Sequence, residues 1–405
     1  MTTRLDLDIA KVVAAGNCSG CGACALLSPR VTMGIDESGF ARPVVRAARI
    51  GDVDDADAVA LFARACPGRR VPAPPAQARR HPVFGTYVSA WAGWATDPDS
   101  RFAGSSGGVL TALTAWLVET GLISSVAGAA ASAVRPTRTV PVRITSREEA
   151  LASSGSRYAP VGVAASAELG VNRAVIGKPC EISAIREIAS SRAVGDGPLL
   201  LSFFCAGTPS QRATDGLIRE LGLDVANVDS LRYRGNGWPG RFTAVDNSGN
   251  TRSTSYEDSW GSHLGRDLQW RCKVCVDGMG DHADISVGDY WHASEDGYPE
   301  FEDEPGRSVI LVRTHRGQEV LEAAASAGIL TLQSVDLDAV AHIQPLQVER
   351  KRMLAARLAG RLLAGRPIPR YPGYKLVRLS LASPVKALRS IIGTFRRSLW
   401  GSGDR

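Results

Sequence analysis

Eight cysteines are the residues of this sequence whose spacing most clearly suggests chemistry, and they form two groups of four. The first group consists of Cys18, Cys21 and Cys24, each separated by two residues, and of Cys66, which precedes Pro67. Three thiolates at this spacing can wrap one face of a [4Fe–4S] cubane, and a remote Cys-Pro can bind the fourth iron. Small residues between the three cysteines allow the tight turn that this wrap requires. The first group therefore predicts one [4Fe–4S] cluster.

The residue at position 28 limits this group to a single cluster. In the C-x2-C-x2-C-x3-C-P run of two-cluster ferredoxins, the fourth cysteine ligates the other cluster. Ser28 occupies that position here, followed by Pro29. The alternative for the first group is a structural zinc site with four cysteines. Zinc knuckles use two cysteine pairs, however, so three thiols in one run favour a cubane.

The second group is dispersed along the chain. Cys180 stands in GKPC, Cys205 in FFCAG, and Cys272 and Cys275 in one C-x2-C pair. A single C-x2-C pair suits zinc, a redox disulfide or a cluster, and Cys180 and Cys205 by themselves are equally typical of buried structural thiols. Both follow an apolar strand at a turn, which is where open α/β sheets gather their sites. The residue types alone leave this second site undecided.

The elements that must position these cysteines can be predicted from the hydrophobic pattern. Residues 88–96 alternate as a strand does, and a glycine-rich turn then opens a helix whose apolar positions are Val109, Leu110, Leu113, Trp116 and Leu117. Residues near 231–256 are strand-like. Strands and helices alternate in four further segments: RAVIGKPCEISAIREIA, GPLLLSFFCAG, ADISVGDYW and VILVRTHRGQEVLEAAASAGIL. This alternation predicts an α/β (α+β) domain of about 260 residues, built on a mixed sheet.

The length of 405 residues predicts two or three domains. We expect a ferredoxin-like iron–sulfur module at 1–75, a catalytic domain at 83–340 and a helical tail at 341–405. The Pro/Ala/Arg-rich stretch 71–82 is typical of a stiff, exposed linker. The sequence has no run of about 18 apolar residues and no secretory signal pattern, so we expect a cytoplasmic protein. Thiols stay reduced there, which favours metal ligation over disulfides.

The charge is distributed unevenly. Residues 341–405 carry a net charge of +12, although the whole chain carries +6, so the first 340 residues sum to −6. The plain interpretation of this basic helical tail is a solvated or protein-packed helix pair. The functional alternative is peripheral docking to an anionic membrane or to an acidic protein, because basic amphipathic helices bind such surfaces. Nucleic-acid binding is disfavoured, because the basic residues lie in the tail without interleaved aromatic residues.

Seven motifs occur in the order of a known family. They are CSGCGAC, GSSGGVLTAL, SGSRYAP, VIGKPCEI, FFCAGTPS, YRGNGWPG and RCKVCVDGMGDHADISVGDYW. Together they resemble the beta subunit of coenzyme F420 hydrogenase/dehydrogenase, a family that includes the 7-hydroxymethyl chlorophyll a reductase type. The resemblance covers about residues 15–340. It implies FAD beside iron–sulfur clusters, and it implies that Cys180, Cys205, Cys272 and Cys275 hold a second [4Fe–4S] cluster.

The resemblance also directs attention to residues that could contact the flavin. Backbone N–H groups at a helix N-terminus bind phosphate, so Ser105, Ser106, Gly107 and Gly108 would suit the FAD pyrophosphate, although SSGG is by itself often only a helix cap. Ser156, Arg157 and Tyr158 would add a cation and an aromatic face. Lys178 is interpreted either as a charge beside flavin N1 or as a solvated surface lysine. The loop with Arg234, Asn236, Gly237 and Trp238 is either a turn around a buried Trp or a lid over the isoalloxazine.

The sequence thus predicts an oxidoreductase that passes electrons between coenzyme F420 or a ferredoxin-type carrier and FAD through two [4Fe–4S] clusters. Flavin is the cofactor that joins two-electron donors to one-electron clusters. One alternative is a ferredoxin-dependent reductase of a small organic substrate in polysaccharide or secondary metabolism. An alternative of another class is a non-catalytic zinc-binding interaction protein. Coenzyme F420 is a candidate co-substrate, and the catalytic residues are not assigned.

Overall fold

The computed structural model describes residues 2–47, 56–75, 79–293, 299–300 and 304–400. Its strands, in chain order, are β1 Val31–Ile35, β2 Ala41–Val45, β3 Arg79–His81, β4 Gly85–Tyr87, β5 Ser89–Ala95, β6 Ser125–Ala131, β7 Thr139–Ile144, β8 Arg173–Gly177, β9 Leu199–Phe203, β10 Val228–Arg232, β11 Arg241–Asp246, β12 Thr251–Ser255, β13 Ile285–Asp289, β14 His292–Ala293, β15 Pro299–Glu300, β16 Ser308–Val312 and β17 Leu330–Ser334. Its α-helices are α1 Arg4–Ala14, α2 Ala23–Leu27, α3 Ala56–Ala65, α4 Pro98–Ala103, α5 Val109–Glu119, α6 Arg147–Ala152, α7 Pro179–Ser191, α8 Gln211–Glu220, α9 Trp270–Lys273, α10 His315–Ser326, α11 Leu337–His342, α12 Pro345–Arg352, α13 Leu354–Leu363, α14 Leu376–Leu381 and α15 Pro384–Trp400.

An eight-stranded mixed sheet organises the fold, in the order β17-β5-β16-β13-β9-β8-β6-β7. The strands β6, β8, β9 and β13 run parallel, and antiparallel strands complete both edges. The strands and helices predicted for the segments around these elements are confirmed. The carboxyl ends of β8, β9 and β13 meet at one edge of the sheet, because Gly177 pairs with Ser202 and Phe203 pairs with Val287.

Both faces of the sheet are covered. Along β9, Leu199 and Leu201 enter one core with α5 and α10, whereas Leu200 enters the core on the opposite face. This alternation follows from the two-residue period of a strand. The second core also contains α7 and the apolar side chains of α1, α2 and α3. Residues 2–47 and 56–75 therefore share a core with the sheet.

A small antiparallel sheet, β10-β11-β12, lies outside the main sheet. It packs on α8 through its own core, in which Ile218 and Phe242 are fully buried. The strand-like region predicted near 231–256 is therefore confirmed as these three strands. The loop that contains Arg234 and Trp238 joins β10 to β11.

The helical tail packs against the protein over most of its length. Leu354, Leu358 and Tyr374 share a core with Val71 and with Val274, which lies inside the C-x2-C pair. The backbone N–H of Val71 donates to the Arg370 carbonyl at 3.0 Å, and that of Ala73 donates to the Pro372 carbonyl at 2.8 Å. The prediction of an exposed linker was wrong for this part of 71–82, because Val71 is buried and its backbone is paired. No helix of the described residues has both the length and the apolarity needed to cross a bilayer.

Candidate functional site

Cys18 and Cys21 lie on the loop between α1 and α2, Cys24 lies in α2, and Cys66 directly follows α3. Burial raises the pKa of Cys24 well above its usual range, and the neighbouring Cys21, Cys18 and Cys66 raise it further. Burial also raises the pKa of Cys21 to about 11 and that of Cys66 to about 12. The structure thus brings these four thiols together in a place shielded from water.

Two glycines hold this loop against the rest of the protein. Gly20 and Gly22 have φ angles of +70° and +88°, which side chains of L-residues rarely adopt. A Cβ atom on Gly20 would lie 2.6 Å from the Ala41 carbonyl oxygen, and one on Gly22 would lie 2.8 Å from the backbone of Gly162 and Ala165. The cysteine loop therefore contacts the sheet domain backbone against backbone.

The second cysteine set assembles at the carboxyl edge of the parallel strands. Cys180 lies in the first turn of α7 after β8, and Cys205 follows β9. Burial raises the pKa of Cys205 to about 12, with Cys272 and Cys275 adding to the effect. Burial likewise raises the pKa of Cys180 well above its usual range, and Cys275 is among its charged neighbours. The four dispersed cysteines are thus neighbours in space.

The two sets adjoin each other. Cys21 of the first set is close enough to Cys180 of the second to raise the pKa of that thiol further. The Gln269 side chain links the sets directly, since its Nε2 donates to the Ser19 carbonyl at 3.1 Å and lies 3.4 Å from the Cys272 sulfur. Arg42 fixes this amide by donating to its Oε1 at 2.8 Å.

Arg271 is a buried cation between the sets and is only 1% exposed. Its guanidinium donates twice to the Pro67 carbonyl, at 2.9 and 3.3 Å. Burial lowers the pKa of Arg271, but Tyr371 and the thiols of Cys275, Cys180 and Cys272 outweigh this effect, and the net shift is upward. Arg271 is therefore a permanent positive charge shared by both cysteine sets.

The eight cysteines are free thiols. Among the described residues, no group of three or more His, Cys, Asp or Glu side chains is arranged to hold a metal ion. A zinc site requires four sulfurs at about 2.3 Å from one ion. In a [4Fe–4S] cluster each cysteine sulfur binds a different iron, so the two kinds of site require different spacings between the sulfurs.

Lys178 is buried rather than solvated, which corrects the surface-lysine interpretation. Its ammonium group pairs with Glu181 and donates to the Val161 carbonyl at 2.7 Å. Burial lowers its pKa, but Glu181 and the thiols Cys180 and Cys205 outweigh this and raise it. The Lys178 charge therefore faces the second cysteine set.

The three loops predicted to contact flavin converge near the same sheet edge. The hydroxyl of Ser156 donates to that of Ser105 at 2.7 Å. The Gly237 N–H donates to the Phe102 carbonyl at 3.0 Å, just before the SSGG turn. A Cβ atom on Gly155 would lie 2.6 Å from the Arg234 carbonyl oxygen. The predicted helix start is confirmed, since α5 begins directly after Gly108.

Several of the predicted phosphate donors already have partners in the protein. The Ser106 hydroxyl donates to the Arg307 carbonyl at 2.8 Å, and the Gly107 N–H donates to the Ser308 hydroxyl at 2.9 Å. The Arg157 guanidinium is held by the Thr139 hydroxyl and by the carbonyls of Pro136, Arg138 and Leu231. These groups brace the loops, and the role of Arg157 in phosphate contact stays a prediction.

Arg234 occupies the centre of an aromatic cluster. Its guanidinium carbon lies 4.3 Å from the ring centre of Tyr256 and 5.2–5.3 Å from those of Trp238 and Trp291. Arg234 Nη1 donates to Asp289 Oδ2 at 2.9 Å, at the end of β13. The buried Arg234 Nη2 has no hydrogen-bond partner among the described residues. A buried donor of this kind marks a place for an acceptor that the described residues do not supply.

The remaining residues of this loop differ in exposure. Trp238 is 6% exposed and lies 4.2 Å from the Trp291 ring centre, so the interpretation as a turn around a buried Trp is confirmed. Asn236 is exposed and has a φ angle of +58°, and Gly237 has a φ angle of +103°. Whether this loop covers a bound ring stays a prediction.

Sequence reasoning missed four residues that organise the site, namely Arg271, Gln269, Glu181 and Tyr256. Two of them carried a signal, because Glu181 stands at the third position of α7 and Arg271 directly precedes Cys272. Tyr256 and Gln269 were missed because their decisive contacts, such as that of Gln269 with the Ser19 carbonyl, join residues far apart in the sequence.

Comparisons with known proteins identify the family of this chain. Residues 90–167 match the family model "Coenzyme F420 hydrogenase/dehydrogenase, beta subunit N-term", and residues 171–338 match the model for the C-terminal part of the same beta subunit. Together they span more than half of the chain. The second cysteine set lies within the matched residues, whereas the first set and the tail lie outside them.

Individual relatives are distant in sequence. The chain is 26% identical to coenzyme F420 hydrogenase subunit beta from Methanococcus voltae, over 71% of this chain and 99% of that protein. It is 23% identical to the coenzyme F420-dependent sulfite reductase of Methanocaldococcus jannaschii, over 84% of this chain and 50% of that protein. A chain of the F420-reducing [NiFe] hydrogenase complex from Methanosarcina barkeri has a similar fold, with a TM-score of 0.50 at 22% identity, over 68% of this chain and 95% of that chain.

Proposed function

This chain belongs to the coenzyme F420 hydrogenase/dehydrogenase beta subunit family of oxidoreductases, and we propose that it is an iron–sulfur flavoprotein. It passes electrons between coenzyme F420 or a ferredoxin-type carrier and FAD through two [4Fe–4S] clusters. One observation carries this proposal, the proximity of the three groups: Cys21 adjoins Cys180, and Cys180 and Cys205 lie at the sheet edge where Asp289 holds Arg234. Electron transfer requires carriers that are close together.

The cysteine surroundings fit two clusters. Cys18, Cys21, Cys24 and Cys66 would hold one, and Cys180, Cys205, Cys272 and Cys275 the other. Thiolates are the ligands, so these buried thiols must lose their protons when iron binds. Arg271 and Lys178 supply permanent positive charge beside them. The Thr208 N–H, 3.4 Å from the Cys272 sulfur, adds a donor of the kind that tunes cluster potentials.

The Arg234 cluster fits FAD. The Arg234 Nη2, which has no hydrogen-bond partner among the described residues, would donate to an acceptor on the flavin ring, and Asp289 fixes the guanidinium in place. The surrounding aromatic side chains provide flat apolar walls and exclude water. Ser105 and Ser156 would contact the remainder of the cofactor at the adjoining loop. FAD, when bound, supplies the exchange between two-electron carriers and one-electron clusters.

The names of the relatives favour F420 as the two-electron carrier. The proteins from Methanococcus voltae and Methanocaldococcus jannaschii are named for coenzyme F420, and a relative from Methanococcus maripaludis is a subunit of an F420-dependent formate dehydrogenase. We extend this to the present chain, together with assembly into a complex with other subunits. A ferredoxin-type carrier is the second candidate, and the additional cysteine set outside the family match favours it.

Anaerobic purification tests the proposal. We expect a brown protein with about eight irons per chain, from two four-iron clusters, and a flavin absorbance that reduced F420 or a reduced ferredoxin bleaches. Testing the two donors separately distinguishes the two carriers. A colourless protein that contains zinc and no flavin would contradict the proposal and support the non-catalytic zinc-binding alternative.

A further inference from the structure

A groove on the tail lies beside both cysteine sets. It has a volume of about 720 Å³ and is formed by α13, α14, the segment 368–372 and one residue of the N-terminal module, Arg70. Its walls are mostly aliphatic, with Leu358 and Val377 among them. It is separate from the loops around Arg234, so the flavin proposal does not account for it.

One layer of residues separates the groove from each cysteine set. On one side, the backbone N–H of Arg70 donates to the Cys66 carbonyl at 3.0 Å. On the other side, the Tyr371 hydroxyl donates at 2.6 Å to the carbonyl of Val274, which lies between Cys272 and Cys275. The Tyr371 ring also lies 5.6 Å from the guanidinium carbon of Arg271. A molecule seated in the groove would therefore be near both sets at once.

The groove surface has the chemistry of a docking site for an acidic protein. Arg70 and Arg370 are both exposed where they line it. Val377 is 65% exposed, and Leu381, one turn further along α14, is 66% exposed. Residues 350–403 contain 13 Lys and Arg and no acidic residue. Apolar centres with charged rims are typical of protein interfaces, and complementary charge raises the rate of encounter.

We propose that this groove docks an acidic electron-carrier protein, such as a small ferredoxin. The inference rests on the proposed function, because it requires clusters at both cysteine sets. Each encounter transfers one electron: the carrier is oxidised, this chain is reduced by the same electron, and no bond forms or breaks. The groove is thereby the port through which single electrons enter the protein. A membrane surface is the competing occupant, and vesicle binding separates the two.

The experiment is anaerobic stopped-flow reduction of the purified holoprotein by a reduced, acidic two-cluster ferredoxin. The test variant is Arg70→Glu with Arg370→Glu. The matched control is Lys386→Glu with Arg389→Glu, which makes the same change of charge on exposed residues of α15 outside the groove. At low salt we expect the groove variant to lose about tenfold or more in second-order rate and the control to lose about twofold. High salt should reduce the difference, because it screens exposed charges.

Further measurements distinguish the possible failures. Dithionite, a small reductant, should bleach wild type and both variants at equal rates, and equal iron and flavin contents would establish that the variants fold. If the double reversal fails to fold, Arg70→Gln with Arg370→Gln replaces it. If the groove variant and the control variant lost the same fraction of the rate, the groove would not be the docking site. The proposal would also be overturned if ferredoxin did not reduce the wild type.

The membrane alternative has its own readout. Co-sedimentation with phosphatidylserine/phosphatidylcholine vesicles should be the same for wild type and the groove variant. Loss of vesicle binding by the groove variant, with an unchanged ferredoxin rate, would assign the groove to a membrane and overturn the proposal. A wild type that lacks iron and flavin would instead be a failure of the proposed function itself.

Discussion

The two cysteine sets reach the same neighbourhood by different routes. Three cysteines of the first set lie within seven residues, on the loop before α2 and in α2 itself. The second set comes from three places: the start of α7 after β8, the loop after β9, and α9 with the residues that follow it. The first is local and lies outside the family match, and the second is built into the sheet and lies inside it. A local set can be added to a fold, whereas a set made of strand ends is part of the fold. The two should therefore differ in what depends on them.

The largest expected difference is between Cys66→Ser and Cys205→Ser. Each variant should lose about four irons per chain, because one cluster loses a ligand. Cys205→Ser should in addition lose flavin, because Phe204 packs on Gly288, beside the Asp289 that holds Arg234. Iron analysis and flavin absorbance measure both effects. Flavin loss from Cys66→Ser as large as that from Cys205→Ser would contradict the distinction between the sets.

Arg271 tests whether the sets depend on each other. Arg271→Met leaves the buried Pro67 carbonyl without its donor and removes the shared charge. We expect a loss of about 3 kcal/mol in the free energy of unfolding and more negative reduction potentials for both clusters, measured by EPR-monitored titration. Arg266→Met is the matched control, since Arg266 is exposed on the same segment. A potential shift in one cluster alone would show that the charge is not shared.

Gly22 tests the docking of the first set against the sheet domain. In Gly22→Ala the new Cβ would lie 2.8 Å from two backbone atoms, so the loop must move. Gly121→Ala is the control, because its φ angle is also positive, at +70°, but no atom lies within 4 Å. We expect Gly22→Ala to destabilise the protein by about 2 kcal/mol more than the control does. Urea unfolding of both variants measures this, and equal losses would argue against tight docking.

The smallest expected effect is a dependence of stability on pH that arises from Asp6 in the N-terminal module. Burial raises the pKa of Asp6, but hydrogen bonds from Arg30 and Thr3 outweigh this, and the net pKa is lowered. Because the folded pKa lies below the unfolded pKa of about 3.9, the ionised carboxylate stabilises the folded state at pH values above about 3.9. This contribution is lost as the pH falls through the folded pKa. Asp6→Asn should therefore cost about 1 kcal/mol at pH 7 and less as the pH falls below 4. Denaturant unfolding at several pH values measures this, and a cost that is independent of pH would contradict it.

Much of the framework could be predicted from the sequence, because short-range patterns determine it. The strand at β5, the helix start after Gly108 and the turn at Cys180 each follow from residues within a few positions of one another. The contacts of Arg157 could not be predicted in this way, because partners such as the Leu231 carbonyl are up to 74 residues away. For Lys178, the pairing with Glu181 is local, three residues along the chain, whereas the contact with the Val161 carbonyl, 17 residues away, is not.

The contacts of the tail were equally hard to predict from the sequence. Its composition predicts basic helices, and the structure contains them. However, nothing local indicates that Tyr371 reaches Val274 or that Arg350 donates to the Cys205 carbonyl at 2.9 Å. The interpretation as protein-packed helices is confirmed for these residues. Exposed apolar side chains on α15, such as Leu388 at 57%, belong to the part of the tail that packs less completely.

The backbone pairing of Val71 with Arg370 also constrains how the protein is made. The two residues are far apart in the sequence, so a ribosome has synthesised the whole sheet domain before this contact can form. Until then, Cys66 and the C-x2-C pair lack the cover that the tail provides. If the two sets hold clusters as proposed, iron and sulfide would reach these cysteines most easily before the tail covers them.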